Sequence, residues 1–98
     1  MNVRHHPSVA GEVTEAVRWY EERSSGLGDE FFESLQNHIA IIAKRPRSFG
    51  FWLNSRRVRR MKMHRFPFDI LFRILPDRIR ILCVRHHKRH PSYGMHRR

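Results

Sequence analysis

A chain of 98 residues supports one domain around one core, and its single cysteine, Cys83, rules out an internal disulfide and fits a reducing compartment. Twenty Lys/Arg against nine Asp/Glu give +11 with the histidines neutral, and the excess is gathered at one end: residues 1–43 carry three basic and seven acidic side chains, residues 44–98 seventeen and two. So cationic a half attracts polyanions, and nucleic acid, the ribosome or an acidic protein is the expected partner. No apolar run is long enough to span a bilayer and Met1–Pro7 is not leader-like, so a cytoplasmic protein without a membrane role is expected.

In chain order, a short strand is expected around Asn2–His6. Pro7-Ser8 then reads as a helix start, with Ser8 as the cap. Val9, Val13, Ala16, Val17 and Tyr20 recur at helical spacing, with Glu12, Glu15, Glu21 and Glu22 turned mainly to water, and Ser24-Ser25-Gly26 stops the helix. A second helix follows, stapled by Leu27 and capped by Gly28 or Asp29, with Phe31, Phe32, Leu35, Ile39 and Ile42 as its apolar stripe and Pro46 beyond its end. So short a connection predicts an antiparallel helical hairpin.

From Ser48 the period changes. Residues 49–54 read as a loop or irregular arm, and three alternating runs follow. Met61 and Met63 oppose Arg60, Lys62 and His64; Phe68, Ile70, Phe72 and Ile74 oppose Asp69, Leu71, Arg73 and Leu75. After a Pro76-Asp77 turn, Ile79, Ile81 and Cys83 oppose Arg80, Leu82 and Val84. The expected fold is α+β, in the order β-α-α-β-β-β, a two-layer domain over residues 1–98 with an antiparallel sheet packed on the helical hairpin. Its outer sheet face would carry Arg60, Lys62, Arg73 and Arg80 with Leu71, Leu82 and Val84, a mixture that a partner covers. Residues 94–98 read as a flexible basic tail.

Several stretches are similar to one known family. The first helix reads Val13-x-Glu15-Ala16-x-x-Trp19-Tyr20-Glu21, followed by Gly26-Leu27-Gly28-x-x-Phe31 and Pro46-x-x-Phe49. The sheet supplies Val58-Arg59-Arg60, Arg65-Phe66-Pro67-Phe68-x-Ile70-x-Phe72, and His86-x-x-Arg89-x-Pro91-x-Tyr93. Taken in order, these resemble the RelE/ParE superfamily of plasmid-stabilisation toxins over nearly the whole chain. The resemblance implies a type II toxin-antitoxin module, in which a growth-inhibiting toxin is neutralised by a cognate acidic antitoxin. It implies no cofactor and no metal.

The superfamily has two branches. In the ribosome-dependent messenger RNA endoribonucleases, basic side chains on the sheet and a C-terminal tyrosine or histidine act on a ribose 2′-hydroxyl. The matching positions here are Arg60, Lys62, His87, Arg89 and Tyr93, with Tyr93 at a shorter spacing from Arg89 than that branch shows. Where that branch places a basic residue after the aromatic that opens its third strand, this chain has Asp69 after Phe68, and a carboxylate repels a substrate phosphate. The Arg-Phe-Pro-Phe and His-x-x-Arg-x-Pro motifs are closer to the ParE branch, which inhibits DNA gyrase without a hydrolytic site. A third reading is a non-toxic basic module that binds nucleic acid. Contacts to target or antitoxin are expected from Trp52, Arg57, Arg59, Arg65, Leu71, Arg73, Arg80, Leu82 and His86.

Of the remaining candidates, His86, His87 and His90 lack the cysteines or clustered carboxylates of a metal site. His86 is read as a structural anchor of the tail, Cys83 as a buried thiol, and Trp19 and Tyr20 as packing residues.

Overall fold

Proline suits a first helical turn, and the helix α1 (Pro7–Arg23) begins on Pro7 in the computed structural model, which describes residues 1–98. Its cap is His6 rather than Ser8. The His6 backbone is extended and its Nδ1 accepts from the Ser8 amide at 3.1 Å. Gly26, at φ +88, is the N-cap of α2 (Leu27–Lys44), earlier than Gly28 or Asp29. Having no side chain, it leaves the capping to Glu21, whose carboxylate accepts from the amides of Gly26 (2.9 Å) and Gly28 (3.0 Å). Glu21 is therefore no solvated surface residue; it places a negative charge at the positive end of α2. A Cβ on Gly28 would lie 2.6 Å from the Val17 carbonyl oxygen, so glycine is what lets α1 and α2 approach so closely.

The strands β1 (Asn2–His5), β2 (Arg59–Lys62), β3 (Phe68–Ile74) and β4 (Arg78–His86) form one sheet in the order β1-β4-β3-β2. β2, β3 and β4 make the expected antiparallel meander. β1 runs parallel to β4, Val3 facing Ile79 and His5 facing Ile81, so the sheet is mixed rather than wholly antiparallel. No tight turn can join parallel neighbours, and here everything from α1 to β3 lies between them.

The main core lies between hairpin and sheet. Val9, Ala16 and Tyr20 of α1 and Phe31, Leu35, Ile39 and Ile42 of α2 meet Met61, Ile70, Phe72, Ile79 and Ile81. Aromatic rings fill its centre: Phe31 lies 5.4 Å from Tyr20 and 5.0 Å from Phe68. Phe32, assigned above to the same stripe, is 44% exposed, because adjacent helical residues point about 100° apart. Trp19 is 49% exposed, edge-on to Tyr20 and under the Arg23 guanidinium at 3.4 Å. His38 is buried on α2. Its Nδ1–H donates to the Ser34 carbonyl (2.6 Å) and its Nε2 accepts from the His64 amide (3.2 Å), fixing the β2–β3 connection to the helix.

A bulge in the β3–β4 ladder changes the expected facing. Phe72 opposes Ile81 while Leu71 opposes Cys83, which leaves Leu82 as the extra residue. Beyond it the alternation is reversed. Cys83 joins the outer face, and Val84 packs into the main core. The outer face is not an open mixture of apolar and basic groups. Val58, Leu71, Leu82 and Cys83 form a second small core beneath Trp52, Tyr93 and Met95. Leu71 and Leu82, expected as anchors for a partner, have no exposed surface.

Candidate functional site

The cover over the second core comes from two directions. The arm of residues 49–58 brings in Trp52, whose indole Nε1–H donates to the Pro91 carbonyl at 2.7 Å. The segment after β4 turns back across the sheet, and Gly94, at φ +82, passes directly over Cys83. Arg97 then donates to the Glu12 carboxylate (2.7 Å) and to the Leu82 carbonyl (3.0 Å). Glu12 in turn accepts from the Val84 amide at 3.0 Å. β1 has already given way to α1 at this level, so Glu12 and Arg97 take over the hydrogen bonds that a longer first strand would make. The helical spacing turns Glu12 to water and the composition reads Arg97 as free tail; together they are a clasp instead. Cys83 beneath it has its thiol pushed up to about 12 by burial first and then by Glu12, which makes it inert.

Beside this cover lies a buried carboxylate. Asp69 on β3 has no exposed surface, and Arg85, opposite it on β4, donates Nη2 to Oδ2. Arg85 is itself 5% exposed, and its Nη1 donates to the Arg89 carbonyl at 2.8 Å, so the guanidinium is held at both ends. The other carboxylate oxygen, Oδ1, meets His87 Nε2 at 3.1 Å and Arg60 Nη1 at 3.7 Å. Asp69 is not presented to an incoming phosphate. It is enclosed by two guanidiniums and an imidazole, and the repulsion expected from it is compensated on the spot.

Of the candidate catalytic residues, Arg60 and His87 converge on Asp69, each about one-third exposed. Arg60 also lies over the Trp52 ring at 4.5 Å. Lys62 is exposed and pairs in register with Asp69, so it borders the same spot. Tyr93 sits between the guanidiniums of Arg89 (4.9 Å) and Arg97 (5.1 Å). The remaining candidates are scattered. Arg59 donates to the Phe49 carbonyl (2.7 Å) and lies over Phe51, Arg65 is paired with Glu30 at 2.8 Å, and Arg57 is exposed in the turn closed by Ser55. Arg73 and Arg80 lie side by side at the far end of the outer face, with Arg4 of β1 next to Arg80, a row of three cations across three strands. Sequence reasoning missed the Asp69–Arg85 pair and the Glu12–Arg97 clasp. An isolated acid in a strand, two positions from apolar neighbours on either side, is the signal that marks Asp69.

His86 turns to the other side, its ring edge-on to Phe68 at 4.9 Å and its Nδ1 accepting from the Lys88 amide at 3.0 Å. Burial first, then the charges of Lys88, His87, Arg85 and Arg89, lower its pKa below the ordinary 6.5. The unfolded chain therefore takes up this proton first as pH falls. Stability from His86 is fully present above about pH 6.5 and is lost below it. Urea titrations at pH 7.5 and pH 5.5 are expected to give the lower midpoint at pH 5.5, and His86→Phe is expected to shrink that difference.

No family model and no curated protein matches this chain. A solved structure described as the chromosomal ParDE TA system from P. aeruginosa superposes on it with a TM-score of 0.66, over 88% of this chain and 95% of that one, at 17% identity. The fold is ParE-like. On this ParE-like frame the helical hairpin carries the acidic half of the sequence, and the meander and the segment after it carry the basic half. No helix is long and apolar enough to cross a membrane.

Proposed function

We propose that this protein is the toxin of a type II toxin-antitoxin module, held by an acidic antitoxin and acting on DNA gyrase. The observation that carries the reading is unbalanced charge on a ParE-like fold. Of seventeen cationic side chains after residue 43, only Arg60, Arg65, Arg78, Arg85 and Arg97 lie within salt-bridge reach of a carboxylate. Like charges directly opposite one another on a sheet are unfavourable, and the Arg4–Arg80–Arg73 row gives an acidic partner a place to relieve that strain. With Leu71 and Leu82 covered, apolar anchorage for the antitoxin falls to the open groove along the hairpin, floored by Val13, Val17 and Phe32.

A second reading, cleavage of messenger RNA, is favoured by one feature alone, the Asp69–His87 pair. Two purified assays separate the targets: supercoiled plasmid with gyrase, and translating ribosomes with messenger RNA. Loss of supercoiling activity with intact message is the expected result. Cut codons with gyrase unaffected would replace the gyrase reading with the ribosomal one, and no growth arrest on induction would favour a non-toxic nucleic-acid binder.

Arg89→Ala is expected to abolish growth arrest while leaving the fold intact. Its backbone amide and carbonyl make the local hydrogen bonds, whereas its exposed side chain only lies over Tyr93. Unchanged circular dichroism together with restored colony formation on induction is the outcome sought.

A further inference from the structure

We propose that His87, oriented by Asp69, cleaves free RNA without a metal ion or a ribosome, an activity that goes beyond inhibition of gyrase. Asp69 is wholly buried and fixed by Arg85, so its position is set before any ligand arrives. Against that guanidinium both carboxylate oxygens act as acceptors, so the imidazole at 3.1 Å donates through Nε2. The proton is thereby placed on Nε2, and Nδ1 keeps its lone pair. Nδ1 has no hydrogen-bond partner within the chain, and the ring is one-third exposed. A buried carboxylate behind a half-open imidazole is the arrangement of a general base with its orienting group.

The surroundings select the substrate. Arg60 lies 3.7 Å from the same carboxylate oxygen and is itself 37% exposed, while Lys62 opposes Asp69 in the strand register. These cations attract a phosphodiester and stabilise charge developing on its oxygens. Among polyanions, RNA supplies a hydroxyl next to each phosphorus, and that hydroxyl is what a lone base can activate. In the step, His87 Nδ1 takes the proton of the 2′-hydroxyl, a bond forms from the 2′ oxygen to phosphorus, and the bond from phosphorus to the 5′ oxygen breaks. Water protonates the departing oxygen, and the hydroxide so formed takes the proton back from His87. The products are a 2′,3′-cyclic phosphate and a 5′-hydroxyl end, with no net consumption of water. His87 is the catalytic residue here and Asp69 a positioning residue.

The test uses the full chain, a single-stranded RNA oligonucleotide and its DNA counterpart, with EDTA and without ribosomes. RNA fragments ending in cyclic phosphate, identified by mass spectrometry, with the DNA left whole, are expected. His87→Gln is expected to lose at least about 100-fold in rate while keeping the wild-type circular dichroism. Asp69→Asn is expected to lower kcat with little change in KM, a split that a loss of general folding would not give, and Arg60→Gln to raise KM. Intact RNA with the wild-type chain, or undiminished cleavage by His87→Gln, would overturn the proposal. A preparation that inhibits gyrase yet leaves RNA whole removes this inference alone, whereas one that cuts RNA and spares gyrase upholds it and removes the gyrase reading.

Discussion

Asp69→Ala is expected to cost about 3–5 kcal/mol of folding stability, the range seen when one member of a buried ion pair is removed. The pair is buried on both sides: Asp69 has no exposed surface and Arg85 is 5% exposed. Without the carboxylate, Arg85 keeps a charge inside the sheet and its hydrogen bond to the Arg89 carbonyl, which satisfies a donor but not the charge. Arg60 and His87 lose their common partner at the same time. For a chain of this size the melting midpoint falls by more than about 10 °C. The double variant Asp69→Leu with Arg85→Met removes both charges and is expected to recover most of the loss. An unchanged midpoint in Asp69→Ala would show that Arg85 reaches solvent and that the pair contributes little.

The second large effect belongs to Gly94→Ala. An added Cβ would lie 2.5 Å from the Cys83 Cβ and 2.6 Å from its Sγ, at a backbone φ of +82. The positive φ costs roughly 1–2 kcal/mol for a residue with a side chain, and the overlap with buried atoms adds about 1–3 more. Relief comes from lifting the segment off the sheet, because neither Gly94 nor Cys83 has a flexible end that can give way. Val58, Leu71, Leu82 and Cys83 would then lose the cover of Tyr93 and Met95. In the wild type the Cys83 thiol, pushed up to about 12, is expected to stay silent toward a disulfide reagent under native conditions. In Gly94→Ala it is expected to react within minutes. A silent thiol in the variant would mean that the cover holds despite the added methyl group.

How much of this was legible beforehand follows from the range of each interaction. The two helices, the three-strand meander and the order β-α-α-β-β-β follow from periodicity, since each element repeats its own pattern within a few residues. The bulge at Leu82 breaks that logic. Alternation places Cys83 with Ile81 and Val84 with Leu82, and one extra residue reverses both. The acids were misjudged for a different reason. Glu21 faces the turn into α2 and Glu12 faces β4, so their partners are set by packing and not by helical position. Asp69 stands at a position where a charge on an outer strand face normally meets water. Only the fold brings Arg85 opposite and the segment after β4 over the top, which turns an obstacle to the chemistry into its centre.

The parallel pairing of β1 with β4 ties the first element of the chain to the last. During synthesis the amino-terminal strand has no neighbour until every other element has been made, so the sheet closes only at the end of translation. The polypeptide is therefore assembled as a harmless precursor and becomes competent all at once, which leaves its keeper the whole time of translation to be on hand.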